Sequence, residues 1–230
     1  MSAGGAPHAG ELAAVVLAAG SSSRLGEPKQ LVELEGEKLI ARVVRLAFEA
    51  GAEPVVVVLG DRAELIAAVI SHFPVTIVRN EQWQTGMGSS LRAGIRKLTE
   101  LNPLPQNALV LVCDQPMLDL KLLQTLAATH LHGDSAVTAA RYAETLGVPA
   151  IFRSELYVEL TEVDGDRGAR SVVQRHHDRA SAVSFAGGAV DIDLPQDLLQ
   201  LRKARRTTAA EQRATADSPV ATGGNDILRP

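Results

Sequence analysis

Residues 15–29 read VVLAAGSSSRLGEPK, and the fold turns on how this stretch is understood. Its first part is apolar and β-prone and ends in Leu17-Ala18-Ala19-Gly20; three serines, Arg24, Gly26 and Lys29 follow. A buried strand that empties into a small-residue, basic loop is how α/β proteins hold phosphates. Backbone N–H groups reach an anion only where side chains are small. Arginine and lysine then add fixed positive charge. Two familiar phosphate loops do not fit. A P-loop needs G-x-x-x-x-G-K-[ST], but five residues separate Gly20 from Gly26, and Glu27 follows. The dinucleotide fingerprint needs G-x-G-x-x-G, and Ser22 stands where its second glycine belongs. The bland alternative is a strand-to-helix turn with two solvated basic residues. Arg24 and Lys29 standing in one register favour phosphate.

Outward from this loop the chain alternates. Leu12–Leu17 is strand one, Leu31–Leu34 an extended piece with a turn at Glu35-Gly36, and Lys38–Ala50 a helix with Leu39, Val43, Leu46 and Ala47 on one face. Val55–Leu59 is a β-branched run without polar alternation, as in a strand covered on both sides. Asp61 is placed to cap a helix over Arg62–His72, with Leu65, Ile66, Val69 and Ile70 inward. Val75–Val78 is a third strand, and Ser89 or Ser90 caps a helix to about Leu101. Ala108–Cys113 is a fourth strand that stops at Asp114-Gln115-Pro116 before a helix over Leu118–Leu131.

Strand–helix alternation predicts an α/β fold: a three-layer, doubly wound, mostly parallel sheet with helices on both faces. Ligands in such sheets sit at the carboxyl ends of strands. The loops after Leu17, Val78 and Cys113 should therefore face one cleft. Beyond residue 134 the rhythm breaks. Ser135–Ala139 and Val148–Phe152 read as strands, Arg141–Gly147 as irregular, Ser154–Val163 and Ala169–His176 as helices, and Ala182–Phe185 and Ala189–Asp193 as short strands. A last helix opens at Leu194-Pro195. The expected organisation is a flexible 1–11, a domain over 12–205 and a disordered tail over 206–230.

Composition sets bounds. At 230 residues and 46% hydrophobic the chain supports one sizeable core, and with 3% aromatics that core is aliphatic. The net charge of −4 argues against generic nucleic-acid binding. Cys113 is the one cysteine, which rules out an intrachain disulfide; it reads as a small buried hydrophobe. No signal peptide and no apolar run of membrane-spanning length is present, so a soluble, cytoplasmic protein with no membrane partner is expected.

Asp114, at the end of the most hydrophobic strand, has two readings. It could hold Mg²⁺, which takes one or two carboxylates plus phosphate oxygens and water, or it could cap the following helix. Asp191 and Asp193 point to the same side of an extended segment, so spacing does not choose between them as its partner. His176-His177 reads as a helix end rather than a ligand pair.

The spacing L-A-A-G-x-S-x-R-x-G-x-x-K resembles the nucleotide-gripping loop of nucleotidyltransferases with a glycosyltransferase-A-like fold. Together with NEQWQTGMGSSLRAG, CDQP, GVPAIF, GDRGAR and DIDLPQDL, in order from about Val15 to Leu201, it resembles the molybdenum cofactor cytidylyltransferase family, relatives of the molybdopterin guanylyltransferases. That resemblance implies transfer of CMP from CTP to the terminal phosphate of a molybdopterin-type cofactor, with pyrophosphate released and Mg²⁺ as cofactor. A molybdoenzyme or its chaperone would receive the product. It implies catalytic roles for Arg24 and Lys29. Leu17, Ala18, Ala19, Gly20, Asn80, Gly86, Ser89 and Ser90 would line the nucleotide, Asp166, Gly168 and Arg170 the acceptor, and Asp114 with Asp193 the metal. Ala19 stands where the guanylyl relatives usually carry Gly, and its methyl group narrows the base pocket. One methyl group is worth about 1–3 kcal/mol of discrimination. The rival expectations are a GTP-using or sugar- or alcohol-phosphate nucleotidyltransferase of this fold, and a non-catalytic cofactor carrier.

Overall fold

The structure, a computed structural model, describes residues 11–22, 25–190 and 197. The chain divides at 193/194; of the second unit only Asp197 is described, and it is helical. Among its described residues the first unit has nine strands: β1 Leu12–Ala18, β2 Glu33–Leu34, β3 Glu37–Lys38, β4 Val55–Leu59, β5 Thr76–Arg79, β6 Asn107–Val112, β7 Val137–Tyr142, β8 Thr145–Arg153 and β9 Ala180–Ser184. Six α-helices accompany them: α1 Leu39–Glu49, α2 Ala63–Ile70, α3 Met87–Thr99, α4 Leu120–Leu131, α5 Tyr157–Thr161 and α6 Gly168–Arg175.

Seven strands form one sheet in the order β5-β4-β1-β6-β8-β7-β9, and β2-β3 is a separate hairpin. β1 pairs in parallel with β4 and β6, β4 with β5, and β7 with β9. Among the described strands of this sheet β8 alone runs antiparallel, against both β6 and β7. The sheet is thus mostly parallel, as the alternation implies.

Alternation along each buried strand assigns side chains to two layers. Leu12, Ala14, Val16 and Ala18 of β1 join Val55, Val57 and Leu59 of β4 beneath α1, α2 and α4, which supply Val44, Ile66 and Leu123. Ala13, Val15 and Leu17 face the other way with Val56 and Val58, against Leu91 and Ile95 of α3, Leu160 of α5 and Val172 of α6. Because β1 lies between β4 and β6, with Ala18 opposite Leu59 and Leu17 opposite Val112, three loops leave the sheet side by side.

The structure departs from the expectations at several points. Residues 141–147 are not irregular: β7 and β8 form a hairpin turning at Ala143 and Glu144, both at positive φ (45° and 57°). Leu65 of α2 faces solvent at 57% exposure, while Ile66 and Ile70 are buried. α2 is preceded by Arg62 in left-handed backbone, not capped by Asp61. α3 starts at Met87 after Gly86, so Ser89 and Ser90 lie inside its first turns and are not its caps. Ala189 belongs to a 3-10 turn over Ala186–Ala189 instead of a strand. The expected features at 1–10, Asp191–Asp193, the last helix apart from Asp197, and the tail lie outside the described residues. Among the described residues no helix is long and apolar enough to cross a membrane.

Candidate active site

The end of β1 keeps its side chains small and covered, then opens at Gly20, which is exposed. The carbonyls of this junction are all engaged. Gln30 Nε2 donates to Ala18 O and to Gly20 O, each at 2.9 Å, and the Asp61 N–H donates to Ala19 O at 3.1 Å. The Gly20 and Ser21 N–H groups have no acceptor among the described residues. A loop with acceptors occupied and donors open is a cradle for an anion. A methyl group built on Gly20 would meet nothing within 4 Å, so the space beside it is free for a ligand. The loop turns back through Ser22, at φ 53°, whose Oγ accepts the Lys29 N–H at 2.9 Å.

That return brings Lys29 to the far side of the sheet end. Lys29 Nζ donates to Asp114 Oδ2 at 2.8 Å, both side chains about four-fifths covered (19% and 23% exposed). The cation comes from the loop after β1 and the carboxylate from the end of β6. Of the two readings of Asp114, the helix cap is excluded: Asp119 Oδ1 accepts the Leu122 N–H at 2.8 Å and caps α4.

Around this pair lies a cleft of ≈ 340 Å³, within the range of small-ligand sites. Leu17–Ser21 and Lys29 line it from the first loop, Trp83, Gly86 and Ser90 from the segment after β5, Val112–Asp114 from β6, and Asp166 from the loop before α6. The three loops expected to share a cleft do so. Cys113 in its wall is buried, and burial, helped by the charge of Asp114, pushes its thiol pKa well up, so the thiol stays protonated.

The remaining candidates divide. Asn80 lines a neighbouring side pocket, not the cleft, and acts as a clamp. Its Nδ2 donates to Ser89 Oγ at 2.8 Å and Ser90 Oγ at 2.9 Å, while its Oδ1 accepts the Gln82 N–H. Ser89 is buried in that clamp, and Ser90 reaches the cleft wall. Gly86, at φ 110°, is needed twice over: an added Cβ would stand 2.5 Å from the Gly165 carbonyl carbon. Gly168 is packed under Met87, whose Sδ would lie 2.8 Å from its Cβ. Arg170 Nη2 donates to Thr145 Oγ1 at 3.0 Å. It lines a second groove with Asp166, Arg167, Ser171, Gln174 and Arg175, and Asp166 borders both spaces. Arg24 and Asp193 lie outside the described residues. His176 ends α6 and its Nε2 meets Glu159 Oε2 at 2.7 Å. Among the described residues no three His, Cys, Asp or Glu side chains cluster as a metal site. Sequence reading missed Gln30 and Trp83 in the cleft wall; their signal was adjacency, to Lys29 and to the GMGSS block.

Residues 14–180 match the family model of the MobA-like NTP transferase domain. The chain belongs to this family. Nicotine blue oxidoreductase of Paenarthrobacter nicotinovorans is a relative, 33% identical over 165 residues, covering 68% of this chain and 78% of that one. Bifunctional protein GlmU of Streptomyces avermitilis is 32% identical over 176 residues, 74% of this chain but only 34% of its own length. The chain thus spans about a third of that relative. Among solved structures, Rv0371c of Mycobacterium tuberculosis superposes with TM-score 0.71 at 27% identity, over 83% of this chain and 97% of that one. A nucleotidyl transferase from Methanothermobacter, Mth528, gives TM-score 0.71 at 26% identity, over 86% and 99%. The MobA-like NTP transferase domain is an enzyme domain of the nucleotidyltransferase class, so the chain is a nucleotidyltransferase by family, with a nucleotide as substrate.

Proposed function

We propose that this nucleotidyltransferase moves CMP from CTP to the terminal phosphate of a molybdopterin-type cofactor. The observation that carries the proposal is the meeting of Lys29 and Asp114, 85 positions apart, beside a loop whose amide donors stand open. The triphosphate lies along 18–22, held by the Ser21 N–H group and by Lys29 and Arg24, with Gly20 leaving the space for it. An acceptor phosphate oxygen attacks the α-phosphorus of CTP. A new P–O bond forms as the α–β bridging bond breaks, and pyrophosphate leaves with the electron pair. The attacking phosphate is already anionic at neutral pH, so no strong general base is needed. Positioning and charge neutralisation do the catalysis.

The donor set at the cleft suits a hard divalent ion: the Asp114 carboxylate, with Asp166 also in the wall. Asp114 and Asp193 would hold Mg²⁺, which would supply positive charge to offset that of the phosphates. Lys29, released from Asp114, would then turn to the phosphates. The groove of Arg167, Arg170 and Arg175, opening beside Asp166, supports an anionic acceptor entering from that side. Ala19 in the wall supports CTP over GTP through its methyl group, and cytidylyl product would pass to a molybdoenzyme or its chaperone.

The oxidoreductase relative favours a second reading, a redox enzyme on the same scaffold. The missing second glycine of the dinucleotide fingerprint, Ser22, speaks against it. The deciding assay measures pyrophosphate released with each nucleotide triphosphate and with molybdopterin, sugar-phosphate or alcohol-phosphate acceptors. Magnesium-dependent release with CTP and molybdopterin is expected. Release only with GTP or another acceptor, CTP binding without turnover, or redox turnover in its place overturns the proposal.

A further inference from the structure

We infer that Gln30 is a positioning residue that sets the peptide planes of the phosphate loop and so its affinity for phosphate. This rests on the nucleotidyltransferase reading and adds a residue to it. Gln30 is 1% exposed, yet it belongs to the cleft wall and directly follows Lys29. Its two amide hydrogens go to two carbonyls two residues apart, Ala18 O and Gly20 O, both at 2.9 Å. Those partners leave no choice of amide orientation, since the oxygen cannot face two carbonyls. Its Oε1 is buried with no hydrogen-bond partner among the described residues.

A buried amide with an orphaned acceptor is a poor choice for stability alone. The two donor bonds give it a purpose. Each peptide unit is planar, and its N–H points opposite its C=O. Holding Ala18 O and Gly20 O on the Gln30 side therefore turns the Ser21 N–H away from Gln30. Ala19 O is held from the opposite flank by the Asp61 N–H, where a Cβ on Gly60 would come within 2.6 Å of it. The loop's carbonyls are thus pinned alternately from two sides. Gln30 thus fixes the direction of the open Ser21 donor before any ligand arrives, while the Asp61 bond turns the Gly20 donor to the other flank, and such preorganisation raises affinity by removing an ordering cost.

The test uses the full chain and its Gln30→Met variant, which keeps volume and removes both donors and the orphan. Thermal melting and calorimetric affinity for inorganic pyrophosphate, CTP and GTP with Mg²⁺ are compared. The variant is expected to melt no more than a few degrees below wild type. Its affinity for pyrophosphate and for both nucleotides should fall by a common factor of about ten or more. A common factor marks the phosphate end; a loss confined to one nucleotide would point to the base pocket and overturn the inference. Pyrophosphate affinity within twofold of wild type overturns it too. Should Gln30→Met not fold, Gln30→Asn, too short to span both carbonyls, is measured in its place with the same criteria. Wild type that binds neither pyrophosphate nor nucleotide overturns the nucleotidyltransferase reading along with this one. Wild type that turns over beside an equally active variant overturns this one alone.

Discussion

Lys29 and Asp114 illustrate what one ion pair can do in two states. In the structure each neutralises the other inside a mostly covered cleft. Under the proposed function, bound nucleotide would turn the lysine to phosphate and leave the carboxylate for a cation. Lys29→Ala should therefore lower the rate of pyrophosphate release by about 10²–10³-fold, the usual cost of removing one charge-stabilising donor. The fold should stay intact, because the pair lies at the sheet's rim; far-UV circular dichroism beside the kinetics checks both halves. Near-normal turnover would remove Lys29 from its role. A different residue governs acid stability. His130 is 1% exposed; its Nδ1 meets Thr138 Oγ1 and its Nε2 meets Asn107 Oδ1, each at 3.0 Å. Asn107 spends its own Nδ2 on Glu11 O, so its Oδ1 is an acceptor and His130 is the neutral Nε2–H tautomer. Burial, with Arg153 nearby, lowers its pKa from 6.5 to about 4. The unfolded chain takes up this proton first as pH falls. His130 thus costs no stability above pH 6.5, and stability drops progressively from there to pH 4, by at most about 3 kcal/mol. Urea unfolding at pH 7 and pH 4.5 should show the drop in wild type and a smaller one in His130→Gln.

Helix α3 carries the cleft's second wall, and its seating is set by glycines. A Cβ on Gly94 would stand 2.3 Å from Val15 Cγ1 and 3.0 Å from Val58 Cγ2, so the helix backbone lies almost on β1 and β4. Helix propensity alone makes Gly94→Ala stabilising by about 1 kcal/mol. Overpacking against two rigid β-branched side chains costs about 1–3 kcal/mol. We expect net destabilisation and weaker nucleotide binding as α3 lifts, both read from thermal melts with and without CTP; a more stable variant would contradict this seating. The elements were unevenly legible in the residues. Val55–Leu59, a pure β-branched run, is a strand to the residue, and α1 falls within one residue of its expected ends. The hairpin of β7 and β8 was invisible, because its turn places Ala143 and Glu144 at positive φ without the Asn or Gly that normally announces it. The α3 start was misjudged for a related reason. Serines usually cap, but here Asn80 holds both hydroxyls, and Gly86 bends the chain three positions before Ser89.

The mostly parallel sheet brings the loops after β1, β5 and β6 to one end, where β1 and its neighbour β6 form the cleft floor and the segment after β5 reaches over to wall it. Ligand binding should therefore brace the molecule as a unit. CTP at about 100 times its dissociation constant adds about 2.7 kcal/mol, which corresponds to about 5–10 °C in the melting temperature of a domain this size. Chelation with EDTA should abolish most of that shift and lower pyrophosphate release at least about 100-fold, with recovery on added Mg²⁺. An EDTA-insensitive rate would remove the metal from the mechanism.

Residue order was enough to specify the layered α/β architecture and the small-residue, basic loop after β1, because both depend on local features: apolar runs of strand length, small residues and charges at short spacing. It was also enough to nominate Asp114 but not to say what Asp114 does, since a helix cap and a ligand carboxylate look alike along a chain. The structure removes the cap, because Asp119 caps α4, and puts Lys29 2.8 Å from the carboxylate, a meeting that depends on strand order in the sheet. The amide of Gln30 belongs to the same class. Its partners sit ten and twelve positions away, joined across a loop whose path only packing determines.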